Sequence, residues 1–154
     1  MQVSELLDTD RISCNNPAAS KKRVLEQLSQ LIAESQPELS QIQVFDSLIS
    51  RERLGSTGLG HGVAIPHGRV KNNDKTVAAV VKLQQGIDYD AVDNAPVDLF
   101  FALLVPENST EEHLQILAQL AQMFSDSTFV AKLRASTDEQ TLLETLQAWQ
   151  PDEE

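Results

Sequence analysis

A single α/β domain, with a mixed β-sheet flanked by helices on both faces, is predicted by three features of this sequence. Two segments near the amino end carry apolar residues at helical spacing, three central runs are rich in β-branched residues, and helical spacing returns in the carboxyl third. The run Val97–Val105 is nearly apolar throughout, as expected of a strand covered on both sides. With 154 residues and 41% hydrophobic content, the chain can bury one core but not comfortably two. Residues 1–150 are read as that domain and the acidic residues 151–154 as a tail.

The first helix is expected between Ser20 and Ser35, where Val24, Leu25, Leu28, Leu31 and Ile32 keep one face and Pro37 follows as a stop. A second begins near Ser40, with Ile42, Phe45, Leu48 and Ile49 to one side, Arg51 and Arg53 at its end, and Gly55 beyond as an exit. Strands are expected over Val63–Ile65, Thr76–Leu83 and Val97–Val105. Ser109 and Glu112 have the spacing of a capping box that opens a third helix, with Leu114, Leu117, Leu120, Ala121 and Phe124 as its apolar stripe. A short helical piece around Phe129–Leu133 and a last helix opened by Thr137 and Gln140, with Leu142, Leu146 and Trp149 on one face, complete the order.

Charge narrows the function. Twelve basic against 23 acidic residues leave a net charge of -11, which opposes both nucleic-acid phosphates and an anionic membrane surface. Neither a nucleic-acid role nor membrane insertion is expected, since the longest apolar run is far below the roughly 20 residues that cross a bilayer. Met1–Asp8 lacks the basic and apolar regions of a secretory signal, so a cytoplasmic protein is expected. Cys14 is the only cysteine and reads as a small apolar side chain.

Five of the six glycines fall between Gly55 and Gly68. Such clustering serves either tight turns or the close approach of backbone N–H groups to an anion. The run matches no nucleotide motif. His61 and Val63 follow Gly60 and Gly62, where a Walker loop needs Lys and then Ser or Thr, and Val63 occupies the third glycine position of a dinucleotide fingerprint. What stands out is Ala64-Ile-Pro-His-Gly68, where proline holds Ile65 extended and presents His67 from rigid backbone. A neutral imidazole with one nitrogen held by a hydrogen bond offers its other lone pair as a nucleophile.

The segment Arg51-Glu-Arg-Leu-Gly-Ser-Thr-Gly58, continued by Ala64-Ile-Pro-His-Gly68, resembles the active-site region of the fructose/mannitol-type enzyme IIA (EIIA) family of the bacterial phosphotransferase system, particularly its nitrogen-regulatory branch. Asp93-Asn-Ala-Pro-Val-Asp-Leu-Phe-Phe-Ala-Leu-Leu-Val-Pro106 resembles the family's central strand, and His113 falls where a second histidine is expected. The resemblance runs from about Ser20 to Leu146 and implies the EIIA fructose/mannitol-type fold. It implies that His67 takes a phosphoryl group, on Nε2, from a phosphohistidine of an HPr-like carrier protein. It further implies that Arg51 stabilises the phosphoryl group and that His113 hydrogen-bonds it or orients His67. Ser56 and Thr57 are candidate donors from the phosphoryl loop, although ordinary turn capping explains them nearly as well. His61 is assigned no role.

The resulting expectation is a regulatory phosphocarrier that needs neither cofactor nor metal and whose regulated protein targets are unidentified. A sugar-specific EIIA component passing phosphate to a separate permease is the alternative. A metal-dependent hydrolase is a distant one, because the three histidines lack His-x-x-x-His spacing.

Overall fold

The computed structural model describes residues 6–71, 73, 75–108 and 111–149, with the side chain of Glu112 excepted. The Ser109–Glu112 side-chain pair and the acidic end 151–154 lie outside the described residues. The described elements are a 3-10 turn Thr9–Arg11, β1 Ile12–Asn16, α1 Lys21–Ser35, α2 Gln41–Glu52, β2 Gly58–Gly60, β3 Val63–Ala64, β4 His67–Val70, β5 Val77–Ile87, β6 Val97–Pro106, α3 Glu111–Ser125, α4 Ser127–Ala135 and α5 Glu139–Ala148.

The sheet is mixed, as expected. Its order is β1-β5-β6-β3-β2, with β4 also paired to β6. β5 runs antiparallel to β6, while β1 lies parallel to β5, and β3 and β4 lie parallel to β6. The apolar run in β6 divides its side chains by the two-residue period of a strand. Leu99, Phe101, Leu103 and Val105 join the core under α3, α4 and α5, whereas Phe100, Ala102 and Leu104 join the core under α1 and α2. Burying each large side chain is worth about 1.5–3 kcal/mol, so the strand requires cover on both sides.

The caps follow local chemistry. Ser20 and Ser40 accept the N–H groups of Arg23 and Gln43, both at 3.1 Å, and open α1 and α2. The last helix is capped by Asp138, which accepts the Thr141 N–H at 2.7 Å, and not by the expected Thr137–Gln140 pair. An ionised carboxylate is the stronger acceptor for these N–H groups.

Two apolar stripes also differ from expectation. In α2, Leu48 is buried and Phe45 and Ile49 pack against the core as expected, but Ile42 is 74% exposed and Val44 is buried in its place. In α3, Leu117, Leu120 and Phe124 face inward as expected, but Leu114 is 65% exposed and Ala121 exposed, and Ile116 and Met123 fill the core beside them. The resulting stripe places His113 on the buried side of its helix, at i−3 and i−7 from Ile116 and Leu120.

β1, β2 and β4 are strands beyond the three expected, and β5 continues four residues past Leu83. β3 and β4 form one line along β6, interrupted at Ile65–Pro66. Proline has no N–H to give a ladder, yet the Pro66 carbonyl still accepts the Leu103 N–H at 2.9 Å. His67 opens β4 immediately after this break, beside Leu103. Cys14 is half-buried against the core, in keeping with its reading as a small apolar group. Among the described residues, no helix is long and apolar enough to cross a membrane.

Candidate functional site

A cleft of about 700 Å³ opens between α2, β4 and the start of α3. His67 and His113 form one part of its lining, Arg51, Arg69 and Lys71 supply cations, and Asp46 is its carboxylate. Two contacts from α2 hold this wall to β4: the Ser47 hydroxyl donates to the Arg69 carbonyl at 3.0 Å, and the Gln43 amide donates to the Lys71 carbonyl at 3.1 Å. Gly68 allows the approach. A Cβ at that position would run into the Ser47 side chain and lie 3.0 Å from the Ser47 carbonyl oxygen.

His67 is 8% exposed, and its orientation is set by its own backbone. Nδ1 lies 2.8 Å from the Ile65 carbonyl oxygen. A carbonyl only accepts, so Nδ1 carries the proton and Nε2 keeps the lone pair. The extended path into Pro66 aims that carbonyl back at the ring. Burial pushes the imidazole below its ordinary value of 6.5; Arg51 and Arg69 push the same way, opposed by the Ile65 hydrogen bond and the Glu52 charge. The ring is held neutral near pH 7.

His113, 6% exposed, meets the His67 ring edge-to-face, with centroids 5.4 Å apart and planes at 62°. Its Nδ1 is buried with no hydrogen-bond partner among the described residues. Burial lowers its pKa, and the charges of His67 and Arg69 add to the effect. Forty-six residues of sequence separate the two imidazoles. The parallel pairing of β4 with β6 closes that gap, because α3 follows β6 on the edge that β4 occupies.

Arg51 belongs to the last turn of α2, and one guanidinium nitrogen, Nη1, donates to the Gly55 carbonyl at 2.9 Å. Ser56 and Thr57 are not in the cleft lining. The Ser56 hydroxyl donates to the Tyr89 carbonyl at 3.1 Å, and the Thr57 hydroxyl donates to Glu52 at 2.6 Å in a buried setting. Both expected loop donors are therefore committed to internal partners. His61 sits exposed in a Gly-His-Gly turn at φ 58°, away from the cleft. Among the described residues, no group of three or more His, Cys, Asp or Glu side chains is arranged to hold a metal ion.

Sequence reasoning missed Arg69 and Lys71. The alternation His67, Arg69, Lys71 was the available signal, because a strand returns every second residue to the same face. That signal is weak in the sequence because the strand His67–Val70 is short and opens on His-Gly, which reads as a turn.

Comparison with known proteins gives a consistent answer. Residues 5–149 match the family model described as "Phosphoenolpyruvate-dependent sugar phosphotransferase system, EIIA 2". A nitrogen regulatory protein of Pseudomonas aeruginosa is 44% identical over 142 residues, covering 92% of each chain. That of Escherichia coli is 40% identical over 147 residues, covering 95% of this chain and 90% of the relative. The crystal structure of the nitrogen regulatory protein IIA-Ntr from Neisseria meningitidis superposes with a TM-score of 0.87 at 40% identity, covering 94% of this chain and 98% of the other. The sheet order, the helices on both faces and the extent of the sequence match together place this chain in the EIIA type 2 family, as a component of phosphoryl transfer.

Proposed function

We propose that this chain is a phosphocarrier that receives a phosphoryl group on Nε2 of His67 from a phosphohistidine of a small HPr-like protein, and that it acts mainly in regulation. The observation that carries this reading is the commitment of Nδ1 to the Ile65 carbonyl inside a cleft lined by Arg51, Arg69 and Lys71. A local cluster of cations on a protein of net charge -11 is where an incoming phosphoryl group would be drawn.

The step is in-line. The Nε2 lone pair of His67 forms the new N–P bond while the N–P bond to the donor imidazole breaks, and the electron pair leaves with the donor nitrogen. Nδ1 keeps its proton, and the Ile65 carbonyl takes up part of the positive charge that the substituted ring acquires. Arg51 can hold two phosphoryl oxygens with its planar fork, and the spread negative charge is where fixed donors contribute most. Nδ1 of His113 has no hydrogen-bond partner among the described residues, and the tautomer with its proton on Nε2 would donate to a phosphoryl oxygen. Ser56 and Thr57 are assigned to the shape of the loop, and direct phosphoryl contact is left to the cleft residues.

The regulatory assignment follows the relatives at 40–44% identity, which are named nitrogen regulatory proteins, and this favours regulation over sugar uptake. The test is reconstitution in a cytoplasm-like buffer with an enzyme I-type protein, an HPr-type protein and phosphoenolpyruvate, followed by peptide mapping. Acid-labile phosphate on the peptide containing His67 is the expected result. Phosphate confined to another peptide, or none at all, would overturn the proposal.

A further inference from the structure

Glu52 stands next to Arg51 in sequence, and its side chain is 1% exposed. A carboxylate removed this far from water needs a full set of donors, and four converge on it. Oε1 accepts the Thr57 N–H at 3.0 Å and faces the Lys21 ammonium at 3.2 Å, while Oε2 accepts the Thr57 hydroxyl at 2.6 Å and the Tyr89 hydroxyl at 3.1 Å. Lys21 also lies 4.6 Å from the centre of the Tyr89 ring, which fixes the cation from a second side. These contacts exceed what closing one short loop after a helix requires.

Two paths lead from this carboxylate to the cleft, one hydrogen-bonded throughout and one along the backbone of the turn. Along the first, Glu52 grips Thr57 by backbone and hydroxyl; the Thr57 carbonyl accepts the Ile65 N–H at 3.0 Å, and the Ile65 carbonyl accepts Nδ1–H of His67 at 2.8 Å. Along the second, fixing Thr57 closes the turn over residues 53–56. The Gly55 carbonyl is thereby placed where it accepts from the Arg51 guanidinium at 2.9 Å. Serial hydrogen bonds polarise one another and transmit position, and neither Glu52 nor Thr57 lines the cleft itself.

We propose that Glu52 is the positioning residue that sets both the tautomer of His67 and the reach of Arg51, through Thr57 and the 53–57 turn. The proposal rests on the reading of His67 as the acceptor. One of its readouts, the tautomer of the ring, is nevertheless independent of any transfer.

The test uses Glu52→Gln in the full chain. The amide keeps the volume but turns an NH2 group toward donors that need an acceptor. Two measurements apply: 15N NMR of the histidine rings, and phosphoryl transfer from a phosphorylated HPr-type protein with kcat and KM separated. Wild type is expected to hold His67 as a single Nδ1–H tautomer. In Glu52→Gln the tautomers should mix and the saturating rate should fall by about 10- to 100-fold, with donor KM within about twofold, because misplacement by a fraction of an ångström costs on that scale.

A core variant, Leu28→Ala, matched for lost thermal stability, should leave the tautomer and kcat unchanged. If Glu52→Gln does not fold, Thr57→Val and Thr57→Ser carry the same test: valine should lose what serine restores. Any folded Glu52→Gln or Thr57→Val protein that is less stable yet retains the wild-type tautomer and saturating rate would overturn the proposal. A lost tautomer in a chain that takes no phosphate on His67 would instead count against the acceptor reading alone.

Discussion

His61 and His67 lie six residues apart in the same glycine-rich run, and the fold treats them in opposite ways. At His61 the protein holds the backbone. The N–H donates to Asp93 at 3.1 Å, the carbonyl accepts from Arg134, and Arg134 is in turn paired to Asp98 at 3.0 Å. The imidazole is left in solvent, on a residue whose φ of 58° serves the turn. At His67 the side chain itself is gripped, by a carbonyl two residues back, with a second imidazole against it in a cleft lined by three cations. A histidine becomes a nucleophile through what fixes its nitrogens, and proximity to glycines confers nothing by itself.

The largest expected effect divides these two residues. His67→Ala should abolish phosphate incorporation, whereas His61→Ala should transfer within about twofold of wild type, since surface changes away from special features cost little; radiolabel uptake from phosphorylated HPr-type protein measures both. Next is Arg51→Ala, expected to slow transfer by about 10²–10³, the scale for losing a preorganised donor to developing charge. Arg51→Lys should recover only part of this, because an ammonium lacks the two-pronged geometry. His113→Ala should slow the same reaction by about tenfold without blocking it, consistent with a single hydrogen bond to a charged group worth about 1.5–3 kcal/mol at most.

The smallest effect is in pH dependence. Burial depresses the folded pKa of His67 and His113 below the ordinary 6.5. The native protein thus binds fewer protons than the unfolded chain between those two values, so stability from these groups is present above pH 6.5 and is lost as pH falls through the folded pKa. Acceptance by His67 should persist below pH 6.5 and fail on the acid side of that lowered value. An NMR pH series on the His67 and His113 rings checks this, and titration of both at or above the ordinary 6.5 would contradict it.

Much of this was legible in the residues. The apolar run of β6 required cover on both faces, and the helical stripes supplied it. Ile-Pro-His-Gly singled out His67, and the flanking motifs pointed to Arg51 and His113. The short strands were harder to read. Ile12–Asn16 is mostly polar, and Gly58–Gly60 and His67–Val70 begin on residues that say turn more than strand, so their pairing is set by the neighbours they meet in the sheet.

In α3, Leu117, Leu120 and Phe124 pack as the spacing predicts, but Leu114 and Ala121 suit an apolar face as well as Ile116 and Met123 do, and only packing against β6 chooses between them. That same choice buries His113, which sequence alone could equally have left on the surface. Glu52 was invisible for a related reason: Arg-Glu-Arg reads as a solvated charge run until Thr57, Tyr89 and Lys21 are seen to close around its centre.

The most direct measurement is long-range 1H–15N correlation NMR on the phosphorylated protein, which identifies the substituted nitrogen of each ring. The expected spectrum has phosphorus on Nε2 of His67, a proton on Nδ1 of the same ring, and His61 and His113 unmodified. Phosphorus on Nδ1 of His67, or on either of the other histidines, would contradict the account.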